Sequence, residues 1–139
     1  MRDIKFRAWH KDIKEMFEVG QITLKKGIWD YQPEDRKYIG MSIPYQPSFI
    51  LMQYTGLHDK NGKEIYEGDI VLLDCYYYEE PAFDGEFKVI YDDINGMWLL
   101  VDLENKDRGF TFGEIRSYYK AEIEVIGNIY DNLELLGGK

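Results

Sequence analysis

Period-two alternation of apolar and polar residues runs through much of this chain and restricts its fold more than any other feature. Clear examples are Ile4–Trp9, Phe87–Asp92 and Glu122–Ile126. Successive side chains of a β-strand point to opposite faces of a sheet, so this alternation indicates half-buried strands. No segment carries the sustained apolar stripe of an amphipathic helix. The sequence therefore predicts a mainly β protein.

Turn signals separate the predicted strands at short intervals. Asn61-Gly62 and Asn95-Gly96 are the strongest of them, because a type I′ hairpin turn requires positive φ at both central residues. Glu67-Gly68-Asp69 indicates a further turn, directly before the apolar run Ile70–Cys75. We expect a loop over Glu79–Gly85, which contains acidic residues, a proline and a glycine.

The order of elements after Glu64 favours a small SH3-like barrel, and a β-sandwich is the alternative. Three predicted strands are followed by Glu114–Tyr119, which is compatible with one short helix, and then by a strand at Glu122–Ile126. Strands also precede this part of the chain. The segment Glu15–Leu24 indicates two short strands, or one strand with a bulge at Gly20.

The chain length of 139 residues suits one domain, and we expect residues 1–139 to form it. Residues 1–29 carry the N-terminal strands, and residues 49–136 the barrel-like core. Between them, residues 30–48 contain Pro33, Pro44 and Pro47 and are predicted to be a long loop or arm. A hydrophobic fraction of 45% and an aromatic fraction of 16% exclude a disordered chain.

Negative charge is concentrated in the later part of the chain. Residues 1–40 carry 9 Lys and Arg against 7 Asp and Glu, whereas residues 41–139 carry 8 against 19, for a net charge of −9. An acidic surface repels phosphate, which disfavours non-specific nucleic-acid binding. The basic N-terminal strand is the exception. It is either an ordinary exposed strand face or, as our alternative hypothesis, a nucleic-acid contact formed by Arg2, Lys5, Arg7, Trp9 and Lys11.

Tyrosine is the most frequent aromatic residue, with 12 Tyr beside 7 Phe and 3 Trp. In a β protein most aromatic side chains fill the core or pair across strands. In the run Tyr76-Tyr77-Tyr78, however, alternation turns at least one ring outward. We predict that a protein partner contacts this run, beside Glu79 and Glu80, or the arm at residues 30–48. Exposed aromatic residues and strand edges are also compatible with homo-oligomers.

Catalytic and cofactor motifs are scarce in this sequence. His10 and His58 have no third residue at a spacing suited to zinc, and no glycine-rich phosphate loop is present. The glycine of Asp59–Gly62 is misplaced for a calcium loop. Cys75 is the only cysteine and is predicted to be a small buried apolar residue. We predict a protein that is not an enzyme and binds no cofactor or metal.

Three blocks of sequence together resemble the YopX family of phage and prophage proteins. They are Lys5–Trp9, Gln53–Leu57 with Asp59–Val71, and Val125–Tyr130, in the order of the family. Residues 76–120 match more loosely, and Leu133 stands where members often have proline. The resemblance implies a small, mostly β accessory protein encoded by a phage or prophage. It implies no activity, and no catalytic or binding residue is transferred.

The expected location is the cytoplasm of a bacterial host cell. The apolar runs of the chain are too short to span a bilayer, which takes about 20 residues. Charged residues at the start of the chain also argue against a secretory signal. The expected partner is accordingly a phage or host protein and not a membrane.

Overall fold

The computed structural model describes residues 2–23, 38–42 and 48–136 of the chain. Those residues form ten strands, one α-helix and one short 3₁₀ helix, Leu133–Leu136, so the predicted mainly β fold class is confirmed. The chain divides into two compact units, Met1–Tyr54 and Thr55–Lys139. The organisation of residues 1–139 as a single domain stays a prediction.

The first unit is built on strands that are adjacent in the order β3-β2-β1-β4. The strands are β1 (Phe6–His10), β2 (Glu15–Thr23), β3 (Tyr38–Ser42) and β4 (Phe49–His58). Strand β1 is antiparallel to β2 and β4, whereas β2 and β3 run parallel. The register of β2 against β3 shifts between Val19 and Gln21, as expected for one strand with a bulge at Gly20.

The predicted arm at residues 30–48 is described only in part. Its residues 38–42 form β3, while residues 30–37 and 43–47 lie outside the described part of the chain. Among the described residues of the first unit, buried side chains cluster around Ala8, Phe17 and Phe49. The rings of Phe17 and Phe49 meet edge to face, with 6.2 Å between their centroids.

The second unit contains a sheet with strand order β10-β6-β7-β8-β9, and all its strand pairs are antiparallel. Its elements are β5 (Glu64–Tyr66), β6 (Asp69–Tyr77), β7 (Glu80–Asp92), β8 (Met97–Asp102), β9 (Gly109–Thr111), α1 (Phe112–Tyr118) and β10 (Lys120–Asn128). A meander followed by a short helix and a returning last strand is the order predicted for an SH3-like barrel. In the described residues the pairing stays open, with β9 and β10 at its edges.

The core of the second unit lies on one face of this sheet. Val71, Leu73 and Cys75 alternate along β6 and are all buried, which places them on the same side as Phe87 and Leu100. Helix α1 adds the fully buried Ile115 to this cluster. Burial of an aliphatic side chain of this kind stabilises a fold by about 1.5–3 kcal/mol. On the opposite face of β6, Leu72 is 40% exposed, whereas Ile70 is fully buried.

Helix α1 begins at a capping box. The Thr111 hydroxyl accepts a hydrogen bond from the Glu114 amide, and the Glu114 carboxylate accepts one from the Thr111 amide, both at 3.0 Å. Each bond satisfies a backbone donor that the first helical turn leaves without a partner.

Helix α1 spans only 7 residues. No helix in the described ranges is long and apolar enough to cross a membrane.

The predicted loop at Glu79–Gly85 is wrong, because nearly all of it belongs to strand β7. Strand β7 pairs with β8 only from Phe87 onward. At Pro81 it therefore pairs with β6 on one side and has an open edge on the other. Proline is tolerated at such an open edge, because no neighbouring strand there needs its missing N–H. The register shift between Cys75 and Tyr76 then leaves Ala82 as the extra residue of a bulge.

Candidate interaction surface

The hairpin between β6 and β7 turns through only two residues, Tyr78 and Glu79. Tyr77 pairs directly with Glu80, and the φ angles of Tyr78 and Glu79 are 48° and 67°. Two successive positive φ angles are the signature of a type I′ turn, which normally contains Asn-Gly. Side chains with a Cβ adopt this region at a cost. The backbone of this turn is therefore strained, and it points Tyr78 away from the sheet.

The rings on this hairpin become more exposed towards its tip. Tyr77 is 52% exposed and Tyr78 is 85% exposed. Their ring centroids lie 4.6 Å apart in an edge-to-face arrangement. Tyr77 in turn contacts Tyr119 at 6.2 Å. Tyr78 thus presents its ring to solvent while one side of it packs on a neighbour.

Behind Tyr77, a continuous series of aromatic contacts reaches the core. Tyr119 meets Phe83 edge to face at 5.1 Å, and Phe83 stacks on Phe110 at 4.7 Å with an interplanar angle of 7°. Phe83 and Phe110 both contact the fully buried Phe87. Aromatic pairs of this geometry add stability beyond the area that they bury. The exposed rings are therefore connected to the buried core by packed aromatic side chains.

Tyr76 is the inner member of the tyrosine run and is engaged with a carboxylate. Its hydroxyl donates a hydrogen bond to Asp74 Oδ2 at 3.1 Å. This bond and the negative charge of Asp74 raise the pKa of Tyr76, with further contributions from burial and from Glu122 and Asp84. The hydroxyl therefore stays protonated, and the ring is held beside Asp74.

The three tyrosines line one depression together with residues from the end of α1 and the start of β10. Its volume is about 380 Å³, and its lining is Tyr76, Tyr77, Tyr78, Glu79, Ser117, Tyr118 and Lys120. Tyr118 is 70% exposed. We call Tyr76, Tyr77, Tyr78 and Tyr118 the tyrosine surface. Tyr118 was not predicted, although the pair Tyr118-Tyr119 at the end of a helical turn could have indicated that one ring faces outward.

A second depression in the same unit, with a volume of about 350 Å³, is lined by His58, Asp59, Lys60, Arg116, Tyr119, Ala121, Glu122 and Ile123. Several of its charged groups are already engaged. Lys60 Nζ lies 3.7 Å from Glu122 Oε2 and 3.6 Å from Glu124 Oε2. The Asp59 carboxylate accepts three backbone hydrogen bonds. We therefore regard the tyrosine surface as the stronger candidate.

The basic N-terminal residues do not form a single exposed surface. Arg2, Lys5 and Lys11 are exposed, but Arg7 is half-buried and Trp9 is only 7% exposed. The indole of Trp9 is therefore not available to stack on a nucleic-acid base. The Lys5 ammonium lies 5.6 Å from the centre of the Tyr54 ring. Nucleic-acid binding by this strand stays a prediction.

The side chains that were considered for catalysis or metal binding make contacts within the fold. His10 Nδ1 accepts a hydrogen bond from the Asp12 amide, and its ring lies 4.6 Å from Phe49. Cys75 is buried as predicted. Burial and the nearby charge of Asp74 raise the pKa of the Cys75 thiol to about 11, against a lowering effect of Arg108. Among the described residues, no group of three or more His, Cys, Asp or Glu could hold a metal ion.

One comparison with known proteins identifies the family, and a second gives a solved structure of similar fold. The YopX protein family model matches residues 5–137. The crystal structure of protein EF1440 from Enterococcus faecalis is similar over 98% of this chain and 99% of that chain, with 29% sequence identity and a TM-score of 0.57. No curated protein matches significantly. Since the family model covers nearly the whole length, the chain belongs to the YopX family.

Proposed function

We propose that this chain is a non-enzymatic protein-interaction module, an accessory protein of a phage or prophage, and that it binds a protein partner through the tyrosine surface. The observation that carries the proposal is the exposure of Tyr78, at 85%, on a turn whose two central residues both have positive φ. The phage or prophage origin rests on the resemblance of the three sequence blocks to the family.

The energetics of binding support this use of the tyrosines. Tyrosine is enriched among the few interface residues that supply most of the binding energy. A ring with two side-chain torsions also loses little conformational entropy when it is immobilised. The contacts of Tyr77 with Tyr78 and Tyr119 restrict these rings before a partner arrives. Preorganisation of this kind lowers the cost of binding.

The strain of the turn supports the same proposal. Asn-Gly would adopt the type I′ conformation without strain. Strained backbone persists where surrounding structure imposes it, and it is concentrated at functional positions. Tyr78 and Glu79 make this turn less stable than Asn-Gly would, and they place two side chains that could contact a partner at its tip.

Photo-crosslinking at the tip of the hairpin tests this function. We expect benzoylphenylalanine in place of Tyr78 to form a covalent adduct with one protein when cells of the phage-carrying host are irradiated. Ile94 is the matched control position, because it is 92% exposed and lies on a different hairpin. Mass spectrometry would identify the adduct, and the purified partner would then be tested for binding.

The proposal predicts that Tyr77→Ala in the crosslinking chain removes the adduct. Equal crosslinking from positions 78 and 94, or an absence of protein adducts at both, would contradict it. The same label at Lys5 examines the alternative function. A nuclease-sensitive adduct at Lys5, with none at position 78, would favour nucleic-acid binding by the basic N-terminal strand.

A further inference from the structure

The outward face of β10, β6 and β7 carries carboxylates in directly opposed positions. Glu122 pairs with Asp74, and Asp74 pairs with Asp84, so these three residues form a row across three adjacent strands. In the next row Leu72 pairs with Glu124 on one side and Glu86 on the other. We call Asp74, Asp84, Glu86, Glu122 and Glu124 the carboxylate face. Residues opposite each other in a sheet project to the same side, so all five point away from the core.

The positive charges near this face, Lys60, Lys88 and Lys120, are fewer than its five carboxylates. Lys60 lies within 3.7 Å of Glu122 and within 3.6 Å of Glu124. Among the described residues, no ion pair involves Asp74, Asp84 or Glu86. Like charges directly opposite each other destabilise a sheet. A cation brought between Asp74 and Asp84 would relieve this repulsion.

The carboxylate face is continuous with the tyrosine surface. Tyr76 follows Asp74 by two residues on β6, which places both on the same face, and its hydroxyl binds the Asp74 carboxylate at 3.1 Å. Glu79 lines the depression beside Tyr78. Lys120 is the cation in that lining, and it pairs across the sheet with Tyr76. Tyr76 and Lys120 therefore connect the carboxylate face to the tyrosine surface.

We propose that the partner segment bound at the tyrosine surface is rich in arginine. This inference rests on the proposed function and specifies its partner. A guanidinium group stacks on tyrosine rings and also binds carboxylates with two parallel hydrogen bonds. Adjacent strands lie about 4.8 Å apart, so one planar guanidinium can bridge carboxylates on neighbouring strands. Lysine offers a point charge and lacks both the stacking plane and the fork of donors.

Peptide binding to the intact chain tests the inference. The probe is a fluorescein-labelled peptide of alternating Arg and Gly residues, measured by fluorescence anisotropy in about 0.15 M salt, where charges farther than about 8 Å are largely screened. We expect it to bind at least about threefold more tightly than the same peptide with Lys in place of Arg, because only Arg stacks on the rings as a planar cation. A citrulline peptide, which keeps the shape and loses the charge, is expected not to bind.

Two matched double variants separate local recognition from net charge. Asp74→Asn with Asp84→Asn removes two charges from the carboxylate face, and Asp93→Asn with Asp107→Asn removes two from exposed positions elsewhere. We expect the first pair to weaken binding of the Arg peptide by about tenfold. The control pair is expected to change it by less than about twofold, since exposed distant charges are screened. Tyr78→Ala with Tyr118→Ala is expected to remove the preference for Arg over Lys.

Three results would overturn the inference. They are equal weakening by both Asp double variants, binding of the citrulline peptide as tight as that of the Arg peptide, and tighter binding of a single-stranded oligonucleotide. Failure of this inference is distinguishable from failure of the proposed function. If the partner still crosslinks at position 78, but its affinity is unchanged by the Asp74 and Asp84 substitutions, the surface binds protein and the arginine assignment is wrong.

Discussion

At the scale of single residues, Asp59 connects two parts of the second unit that are distant in sequence. Asp59 Oδ1 accepts hydrogen bonds from the amides of Asn61 and Lys63, and Oδ2 accepts one from Val125, all at 2.9 Å. The first two close the hairpin between β4 and β5. The third attaches that hairpin to β10. Asp59 is only 8% exposed, so water does not readily replace these partners.

We expect Asp59→Asn to lower the free energy of unfolding by about 2 kcal/mol at neutral pH. The amide keeps one oxygen acceptor, but its NH₂ group cannot accept the bond from Val125. Chemical denaturation followed by circular dichroism measures the loss. Asp107→Asn is the control, because Asp107 is exposed and its substitution should leave stability nearly unchanged. Equal stability of the Asp59→Asn and wild-type chains would contradict this role.

The effect of Asp59 should depend on pH. Burial raises its pKa, but the hydrogen bonds from Val125, Lys63 and Asn61 outweigh burial and hold the pKa below its ordinary value. A carboxyl group with a lowered folded-state pKa stabilises the fold above its unfolded pKa, near 4, and loses that contribution as the pH falls through the folded value. The stability difference between wild type and Asp59→Asn should therefore shrink at acidic pH.

At the scale of elements, the hairpin between β6 and β7 has a turn of reduced stability that fixes the position of Tyr78. Gly62 and Gly96 occupy positive φ in the two Asn-Gly turns of the second unit, whereas Tyr78 and Glu79 do so here without a glycine. A residue with a Cβ costs about 1–2 kcal/mol in this region. The contact of Tyr78 with Tyr77 offsets part of that cost.

Tyr78→Asn with Glu79→Gly should relax this turn. We expect the double variant to gain about 1 kcal/mol in the free energy of unfolding, because Asn-Gly suits a type I′ turn and the lost ring contact is worth less than the strain. Tyr78→Ala with Glu79→Ala is the control, since it loses the same ring and keeps Cβ atoms at positive φ. A gain in both variants, or in neither, would argue against stored strain.

The elements differ in how far the sequence could predict them. The turns at Asn61-Gly62 and Asn95-Gly96 are confirmed, and both glycines have positive φ. The predicted type I′ geometry is wrong at both, because Asn61 and Asn95 do not have positive φ. The turn at Tyr78-Glu79 was missed since neither residue favours it. The parallel pairing of β2 with β3 was also not predicted, because parallel neighbours leave no hairpin signature in the chain.

The candidate surface was predictable only in part, because part of it is brought together by residues distant in sequence. Alternation indicated an outward ring within Tyr76–Tyr78, and Tyr77 and Tyr78 are indeed the exposed members. Tyr118 joins them through the packing of α1, and the opposed carboxylates of β10, β6 and β7 depend on strand register. Register is set by turns and core packing together, which a local pattern does not contain.

At the scale of the whole molecule, the net charge of −9 should make stability sensitive to salt. Repulsion among like charges opposes the compact state, and at 0.1 M salt ions screen this repulsion between charges more than about 10 Å apart. We expect the Tm to rise by a few degrees between low and moderate sodium chloride concentrations. A falling Tm would show instead that ion pairs such as Lys60 with Glu122 dominate.

The pairing of β6 with β10 has a consequence for synthesis of the chain. Strand β6 emerges from the ribosome well before Lys120–Asn128, and β7, β8, β9 and α1 come between them. Until β10 is released, β6 presents an unpaired edge that includes Val71 and Leu73. Open edges of apolar strands invite pairing with other chains. The nascent protein is therefore most prone to aggregation, and most in need of a chaperone, just before its last strand is made.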